Sequence, residues 1–296
     1  MNMTRREFLK LCGASAAAIG LSATELGLLE KVLANPDGPT VVWLQGSGCT
    51  GCTESFLNRI STSDPKTAAD VLINSINLVY HPNLMAVAGE SAVLQAQKAY
   101  TAGNYILAVE GGVPTRFGGS ACWAWSVNGK DVTFQQAVMS LSSRAAKILC
   151  IGTCAAWGGI PAAPPNPTAV KGIKTLTGKT TINIAGCPPH PDWIVWAVAQ
   201  LLLGKTIPLD SYGRPTALFN KTVHDLCPRH EAEEAETYGV DHLCLEELGC
   251  RGPHTVANCP VQLWNNRVNW CCDANAPCIG CTHPQFPFTQ LASSDD

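Results

Sequence analysis

Charged side chains are scarce in this 296-residue chain: Lys, Arg, Asp and Glu together make up 15% of it, where soluble domains average about 25%. It has no basic tract, which excludes the electrostatic footprint of a nucleic-acid binder. Past the N-terminal leader there is no apolar run of membrane-spanning length. The longest, residues 193–203, falls far short of the roughly 20 residues a bilayer core demands. The stretch at 286–296 is polar and carries no anchor. Internal repeats and low-complexity tracts are absent too, which excludes a solenoid or an array. With 46% hydrophobic residues, the shortage of charge points to a broad surface covered by another protein, although metal-bearing loops also lower the charge count.

The leader has its own grammar. Thr4-Arg5-Arg6-Glu7-Phe8-Leu9-Lys10 is an arginine pair followed by a mild apolar run over 11–23. A polar stretch with Lys31 then leads to Val32-Leu33-Ala34. This pattern predicts a twin-arginine export signal over residues 1–34, removed from the mature protein. The run is short and rich in Ala, Gly and Ser, so a permanent membrane anchor is not expected. The twin-arginine route carries folded proteins to the periplasm, which suits a protein that receives a cofactor inside the cell. Removing the leader leaves 16 basic and 20 acidic residues.

What the chain does have is cysteine, 15 in all. In an exported protein this composition usually means disulfides. Here the mature chain is long enough to build a core without staples. The spacing is also that of metal ligands. From His224 to Cys281 it runs H-x2-C-x16-C-x5-C-x8-C-x11-C-C-x5-C-x2-C, and earlier come Cys49-x2-Cys52, Cys154 and Cys187. Two-residue spacings let one short loop supply two corners of an iron–sulfur cube, and thiolate is the ligand for such iron. Zinc accepts the same atoms but favours regular, sequentially paired knuckles.

Residues 40–204 alternate strand-like and helix-like runs. Strands are predicted at 40–45, 71–80, 105–109, 148–151 and 181–185. Helices are predicted from 53, at 90–101, at 134–147 and at 193–203. This alternation gives an α/β class with a doubly wound parallel sheet of the flavodoxin-like type. Cys49, Cys52, Cys154 and Cys187 then each fall just past the carboxyl end of a strand, the edge where such sheets bind ligands. The expected division is a signal over 1–34, a flavodoxin-like domain over 35–204 and an irregular cluster-binding domain over 205–296. The last is rich in Cys, Pro, Asn and Gly, and metal binding is expected to serve as its core.

Several stretches carry a resemblance over essentially the whole length: Leu44-Gln45-Gly46 through Cys49-Thr50-Gly51-Cys52, Val109-Glu110-Gly111, Gly152-Thr153-Cys154-Ala155-Ala156-Trp157-Gly158-Gly159, and Gly186-Cys187-Pro188-Pro189-His190-Pro191-Asp192. Further on come His224-Asp225-Leu226-Cys227-Pro228-Arg229, Leu248-Gly249-Cys250-Arg251-Gly252-Pro253 and Pro277-Cys278-Ile279-Gly280-Cys281. On these the chain resembles the small, electron-transfer subunit of periplasmic nickel–iron hydrogenases. The resemblance implies three iron–sulfur clusters. A proximal 4Fe–4S would be held by Cys49, Cys52, Cys154 and Cys187, and a distal 4Fe–4S by His224, Cys227, Cys244 and Cys250. The medial cluster would be held by Cys259, Cys278 and Cys281, with a further thiol. Many relatives place proline after the Asn-Trp pair and hold a 3Fe–4S medial cluster. Here Asn269-Trp270 is followed by Cys271 and Cys272, as in the nickel–iron–selenium branch, so 4Fe–4S is expected, with Cys271 preferred to Cys272 as fourth ligand.

The resemblance further implies a large subunit that carries the nickel site and a periplasmic acceptor such as a multihaem c-type cytochrome. The work of the chain is then electron relay in hydrogen oxidation or proton reduction, with no acid–base residue of its own. Cys12 leaves with the signal, and Cys150 reads as a small core residue. Cys122 matches one of two extra thiols of oxygen-tolerant relatives, but the second position falls at Gly51, so an ordinary proximal cluster is expected. Two rival readings are the iron–sulfur subunit of a quinone-reducing complex, which shares the proximal set, and a disulfide or zinc scaffold.

Overall fold

The computed structural model describes residues 38–62, 65–85, 87–240 and 242–288. The expected export signal, Cys12 and the last residues of the chain lie outside them. The main sheet has five parallel strands: β1 (Thr40–Gln45), β2 (Asn77–Tyr80), β3 (Ile106–Glu110), β4 (Lys147–Ile151) and β5 (Ile182–Ile184), in the order β2-β1-β3-β4-β5. The order reverses between β1 and β3, and a doubly wound sheet opens its ligand crevice at that point. Val41 to Leu44 are all buried, as expected of a parallel strand covered on both faces.

Alternate side chains of each strand feed two cores. On one face Val42, Leu44, Leu107, Val109, Ile148 and Cys150 pack against helices α3 (Gly89–Ala102) and α4 (Phe134–Arg144). On the other, Val41, Trp43, Ile106, Ala108, Leu149, Ile151 and Ile184 meet α1 (Gly51–Leu57), α2 (Ala68–Asn74) and α7 (Pro191–Leu202). Two short helices, α5 (Thr153–Trp157) and α6 (Ile173–Thr177), complete this part. α7 starts on a proline, capped by the His190 side chain, and is buried almost all round because it lies between the sheet and the C-terminal segment.

Two local features depart from the sequence reading. The expected strand over 71–80 is a helix followed by a shorter strand. Thr67 and Asp70 form a reciprocal capping box that starts α2, and only Asn77–Tyr80 is extended. The apolar spacing there serves a helix face, and a cap with a hydrogen bond at each end outweighs a weak alternation. A hairpin, Trp123–Val127 with Lys130–Thr133, has no counterpart among the expected strands. Its turn, Asn128-Gly129, has positive φ at both residues, the backbone that a two-residue hairpin requires.

The C-terminal segment has only short helices, among them α8 (Val223–Leu226), α9 (Cys259–Gln262) and α10 (Trp264–Arg267). It nonetheless uses hydrophobic burial. Leu218, Phe219, Val223, Ala257, Trp270, Cys272 and Cys278 join the same cluster as α7. Trp193 is the joint: its ring meets Phe219 edge-on at 5.2 Å, and its indole N–H donates to Asn258 Oδ1 at 2.8 Å. Trp193→Phe is expected to leave Asn258 without that donor and to destabilise by about 1–3 kcal/mol. Trp193→Ala adds a cavity and should lose about 3–5 kcal/mol. Chemical unfolding followed by tryptophan fluorescence and by loss of bound iron would check both, and an unchanged stability for Trp193→Phe would refute the role given to the hydrogen bond.

Candidate metal centres

The first centre forms at the carboxyl edge of the sheet. Cys49 follows β1, Cys52 is in the first turn of α1, Cys154 is in α5 just past β4, and Cys187 follows β5. The four thiols lie within electrostatic reach of one another. Burial raises Cys52 well above an ordinary thiol, and Glu110, Cys154, Cys187 and Cys49 raise it further. Burial, then Cys187 and Cys49, push Cys154 to about 12. The backbone is fitted closely around the sulfurs. A Cβ on Gly152 would stand 2.4 Å from Cys52 Sγ, and one on Gly159 would stand 2.9 Å from Cys154 Sγ. Between Cys49 and Cys52, Thr50 adopts a left-handed conformation (φ 67) and its hydroxyl accepts from Gln45 Nε2 at 2.7 Å. Below the loop, buried Glu110 accepts from Trp43 Nε1 and Thr53 N, both at 3.1 Å, and from the Thr53 hydroxyl. Its carboxylate thereby ties β3 to the N-terminus of α1. His81, beside the Thr53 hydroxyl, is held at about 4 by burial and stays neutral.

The second centre gathers Cys259, Cys271, Cys278 and Cys281. Burial raises Cys259 most, followed by Cys281, Cys278 and Cys271 in that order. The third is a small recess lined by His224, Cys227, Cys244 and Cys250, with Arg229, Glu246, Trp270 and Cys272 in its wall. His224 Nδ1 lies 3.6 Å from Glu246 Oε2, and its ring meets His230 edge-on. Arg229, largely buried, donates to Leu243 O and Asn275 Oδ1. Every residue expected as a ligand is thus grouped with its expected partners.

Cys272, the alternative medial ligand, lines the third recess beside Cys227 and Cys250. Interaction with Cys272 brings Cys227 down to about 7 and Cys250 to about 6. The signal for this is present in the adjacency of Cys271 and Cys272, since neighbouring side chains on a turn diverge. Cys150 is fully buried in β4, as expected. Cys122 is half-buried, packs against the α3–α4 core and has its thiol raised by burial alone.

The three groups touch through hydrogen bonds to sulfur. The backbone N–H of Cys187, in the first set, donates to Cys281 Sγ in the second. The N–H of Cys278, in the second, donates to Cys250 Sγ in the third at 3.3 Å. Thr153, beside Cys154, accepts from Gly186 N at 3.0 Å and donates to Cys281 O.

These residues suit iron–sulfur clusters. Among the described residues, no three His, Cys, Asp or Glu side chains come close enough to hold a single metal ion. Thiols that raise one another's pKa cannot all ionise without a cation between them, and clustered iron supplies that charge. Trp270 contributes a further sign: its buried indole N–H has no hydrogen-bond partner among the described residues, although Trp270 lines the third recess.

A flavodoxin-like sheet whose crevice holds four cysteines, followed by a cysteine-rich segment built on that sheet, defines an iron–sulfur redox subunit. The comparisons make the family specific. Residues 49–201 match the family described as NADH ubiquinone oxidoreductase, 20 Kd subunit, and residues 219–292 match the C-terminal family of the NiFe/NiFeSe hydrogenase small subunit. The periplasmic [NiFeSe] hydrogenase small subunit of Desulfomicrobium baculatum is 36% identical, over 97% of this chain and 97% of its own. The periplasmic [NiFe] hydrogenase small subunit of Solidesulfovibrio fructosivorans is 40% identical, over 96% of this chain and 90% of its own. The solved [NiFeSe] hydrogenase of Desulfovibrio vulgaris Hildenborough superposes with a TM-score of 0.79 at 38% identity, covering 86% of this chain and 96% of that one. This chain belongs to the NiFe/NiFeSe hydrogenase small-subunit family. The first match covers only the half shared with quinone-reducing complexes, and the second excludes that rival.

The packing around sulfur makes Gly152 a sensitive position. Gly152→Ala should expel Cys52 from its set and lower the iron retained. Gly178→Ala should leave iron content unchanged, because Gly178 has a similar positive φ but nothing within 4 Å; equal iron loss in both variants would trace the effect to backbone strain. Iron retention should also depend on pH. The thiols of Cys52, Cys154, Cys187, Cys259, Cys271, Cys278 and Cys281 have raised pKa values and would bind iron as thiolates, so cluster assembly at these positions releases protons and is favoured as pH rises. Acidification should therefore bleach the absorbance near 400 nm, a band placed roughly from thiolate–iron charge transfer, and Gly152→Ala should bleach at higher pH than the unaltered protein.

Proposed function

We propose that this chain is the electron-relay subunit of a heterodimeric periplasmic hydrogenase, exported folded through its twin-arginine signal together with a large subunit that carries the nickel site. Cys49, Cys52, Cys154 and Cys187 hold a proximal 4Fe–4S cluster. Cys259, Cys271, Cys278 and Cys281 hold a medial 4Fe–4S cluster, and His224, Cys227, Cys244 and Cys250 a distal one. The domain boundary expected at 204/205 separates the proximal set from the other two. When bound, the clusters accept and release single electrons, passing them between the nickel site and a periplasmic acceptor such as a multihaem c-type cytochrome.

The protein's own part is to hold, shield and tune. Backbone N–H groups donate to the sulfurs of Cys227 and Cys250, at 3.4 and 3.3 Å, which stabilises negative charge on sulfur and raises potential. In the medial set Cys278 is buried, Cys259 and Cys281 are half-buried and Cys271 is exposed. Replacing a thiolate by the neutral imidazole of His224 removes one negative charge from the distal set. The observation that carries the reading is the contact between successive sets, Thr153 beside Cys154 donating to Cys281 O, and Cys278 N–H donating to Cys250 Sγ at 3.3 Å. Such contacts are what short electron hops require. No described helix is long and apolar enough to cross a membrane, and a soluble or docked acceptor accords with that.

Electron paramagnetic resonance tests the medial assignment. The oxidised enzyme should lack the sharp signal of a 3Fe–4S cluster and should contain about a dozen irons. Cys271→Pro should create that signal, and Cys272→Ala should not. The reverse pattern would transfer the fourth ligand to Cys272.

A further inference from the structure

Residues 222–250, which supply all four expected ligands of the distal set, contain eight Asp and Glu but a single Lys or Arg, Arg229. The described acids of this stretch stand in solvent, whereas Arg229 is only 9% exposed. Its side chain is anchored. Nη1 donates to Leu243 O at 3.2 Å, next to Cys244, and to Asn275 Oδ1 at 3.4 Å. Both acceptors are neutral, and among the described residues no carboxylate forms an ion pair with it. A guanidinium keeps its charge when buried, and a buried charge without a counter-ion is costly. Arg229 lies in the wall of the recess lined by His224, Cys227, Cys244 and Cys250, so that recess is where its counter-charge belongs. The one carboxylate among the lining residues, Glu246, does not supply it: Glu246 lies 3.6 Å from His224 Nδ1, and its side chain is 44% exposed, where water screens it.

We propose that Arg229 is the fixed positive charge of the distal cluster and raises its reduction potential. This rests on the distal assignment above. A thiolate-ligated cluster gains negative charge on reduction, so a nearby cation stabilises the reduced form more than the oxidised one. Burial decides which charges matter. The field of the guanidinium crosses protein interior, whereas the more numerous acids act through water and salt. Arg229 and the neutral imidazole of His224 therefore work in one direction. Together they favour the outermost set as the place for an electron that has left the nickel site.

The test uses the heterodimeric enzyme purified without oxygen, carrying Arg229→Gln, Arg229→Met or Arg229→Lys. Glutamine and methionine both remove the charge, and methionine keeps an extended side chain should the glutamine variant fail to assemble. Lysine keeps the charge without the planar fork. Redox titration followed by electron paramagnetic resonance should show the distal cluster alone moving to more negative potential in the two neutral variants, with iron content unchanged. Lysine should recover most of the shift, and the shift should persist at high salt, because a buried charge is little screened. Asn275→Ala removes an acceptor of the guanidinium but no charge, and should leave the potential in place. An unmoved distal potential at full iron content would overturn the proposal. A shift in Arg229→Lys or Asn275→Ala as large as that in Arg229→Gln would also overturn it, by tracing the effect to packing. Loss of distal iron in both neutral variants would do so differently, by making Arg229 a support of the loop. A distal cluster absent from the unaltered enzyme would overturn both this role and the ligand assignment beneath it, and iron analysis would reveal that before any variant was made.

Discussion

Hydrogen bonds from backbone N–H to cysteine sulfur are the interaction on which the rest depends. In the C-terminal segment they repeat with one offset. The N–H two residues on donates to the sulfur at Cys227 (from Arg229), Cys244 (from Glu246), Cys250 (from Gly252) and Cys278 (from Gly280). Each loop thus folds back on its own ligand and offsets part of the charge that thiolate would place in a buried site. The irregular C-terminal segment is held by the core it shares with α7.

The same bonds connect the sets. A ligand residue in one set uses its sulfur for that set and its N–H for a sulfur in another, as Cys187 and Cys278 do. Displacement of either strand of this lattice would shift two centres together. Arg59 and Asp192 (2.9 Å), with Gln262 Nε2 on the other oxygen of Asp192 (2.9 Å), lock α1, α7 and α9 in the same register. The sheet edge and the C-terminal loops therefore act as one rigid mounting. That suits electron transfer, whose rate depends on fixed distances, better than it would suit a catalytic cycle that needs a moving lid.

Strands β1, β3, β4 and β5 are legible in the sequence because they are short apolar runs soon followed by glycine, whereas β2, followed by His81 and Pro82, is not. The proximal set is legible for the same reason: Cys49, Cys154 and Cys187 each stand at the end of such a run. The helix at Ala68–Asn74 is hidden because its apolar residues fit a strand as well as a helix face, and only the Thr67–Asp70 cap decides between them. The hairpin turn Asn128-Gly129 carries the required dipeptide, but the flanking Trp and Val residues are half-exposed and give no strong alternation. The role of Trp193 in joining the two halves cannot be seen, because a tryptophan in an all-apolar helix has no sequence mark for which neighbour it meets.

Cys271 and Cys272 show how one step along the chain divides charge between two centres. On the proposed assignment, Cys271 gives the medial cluster a fourth thiolate, which lowers its potential, while Cys272 lines the distal recess. His224 raises the distal potential by withholding a thiolate. The difference between the two centres is thus set by the identity of side chains such as Cys271 and His224, without any change in cluster type. Were both cysteines to face one cube, that centre would be overcharged and the other would be one thiol short. The turn that separates them, closed by the N–H groups of Asn275 and Ala276, is accordingly a determinant of the direction in which electrons move most easily, even though neither Asn275 nor Ala276 touches iron in this assignment.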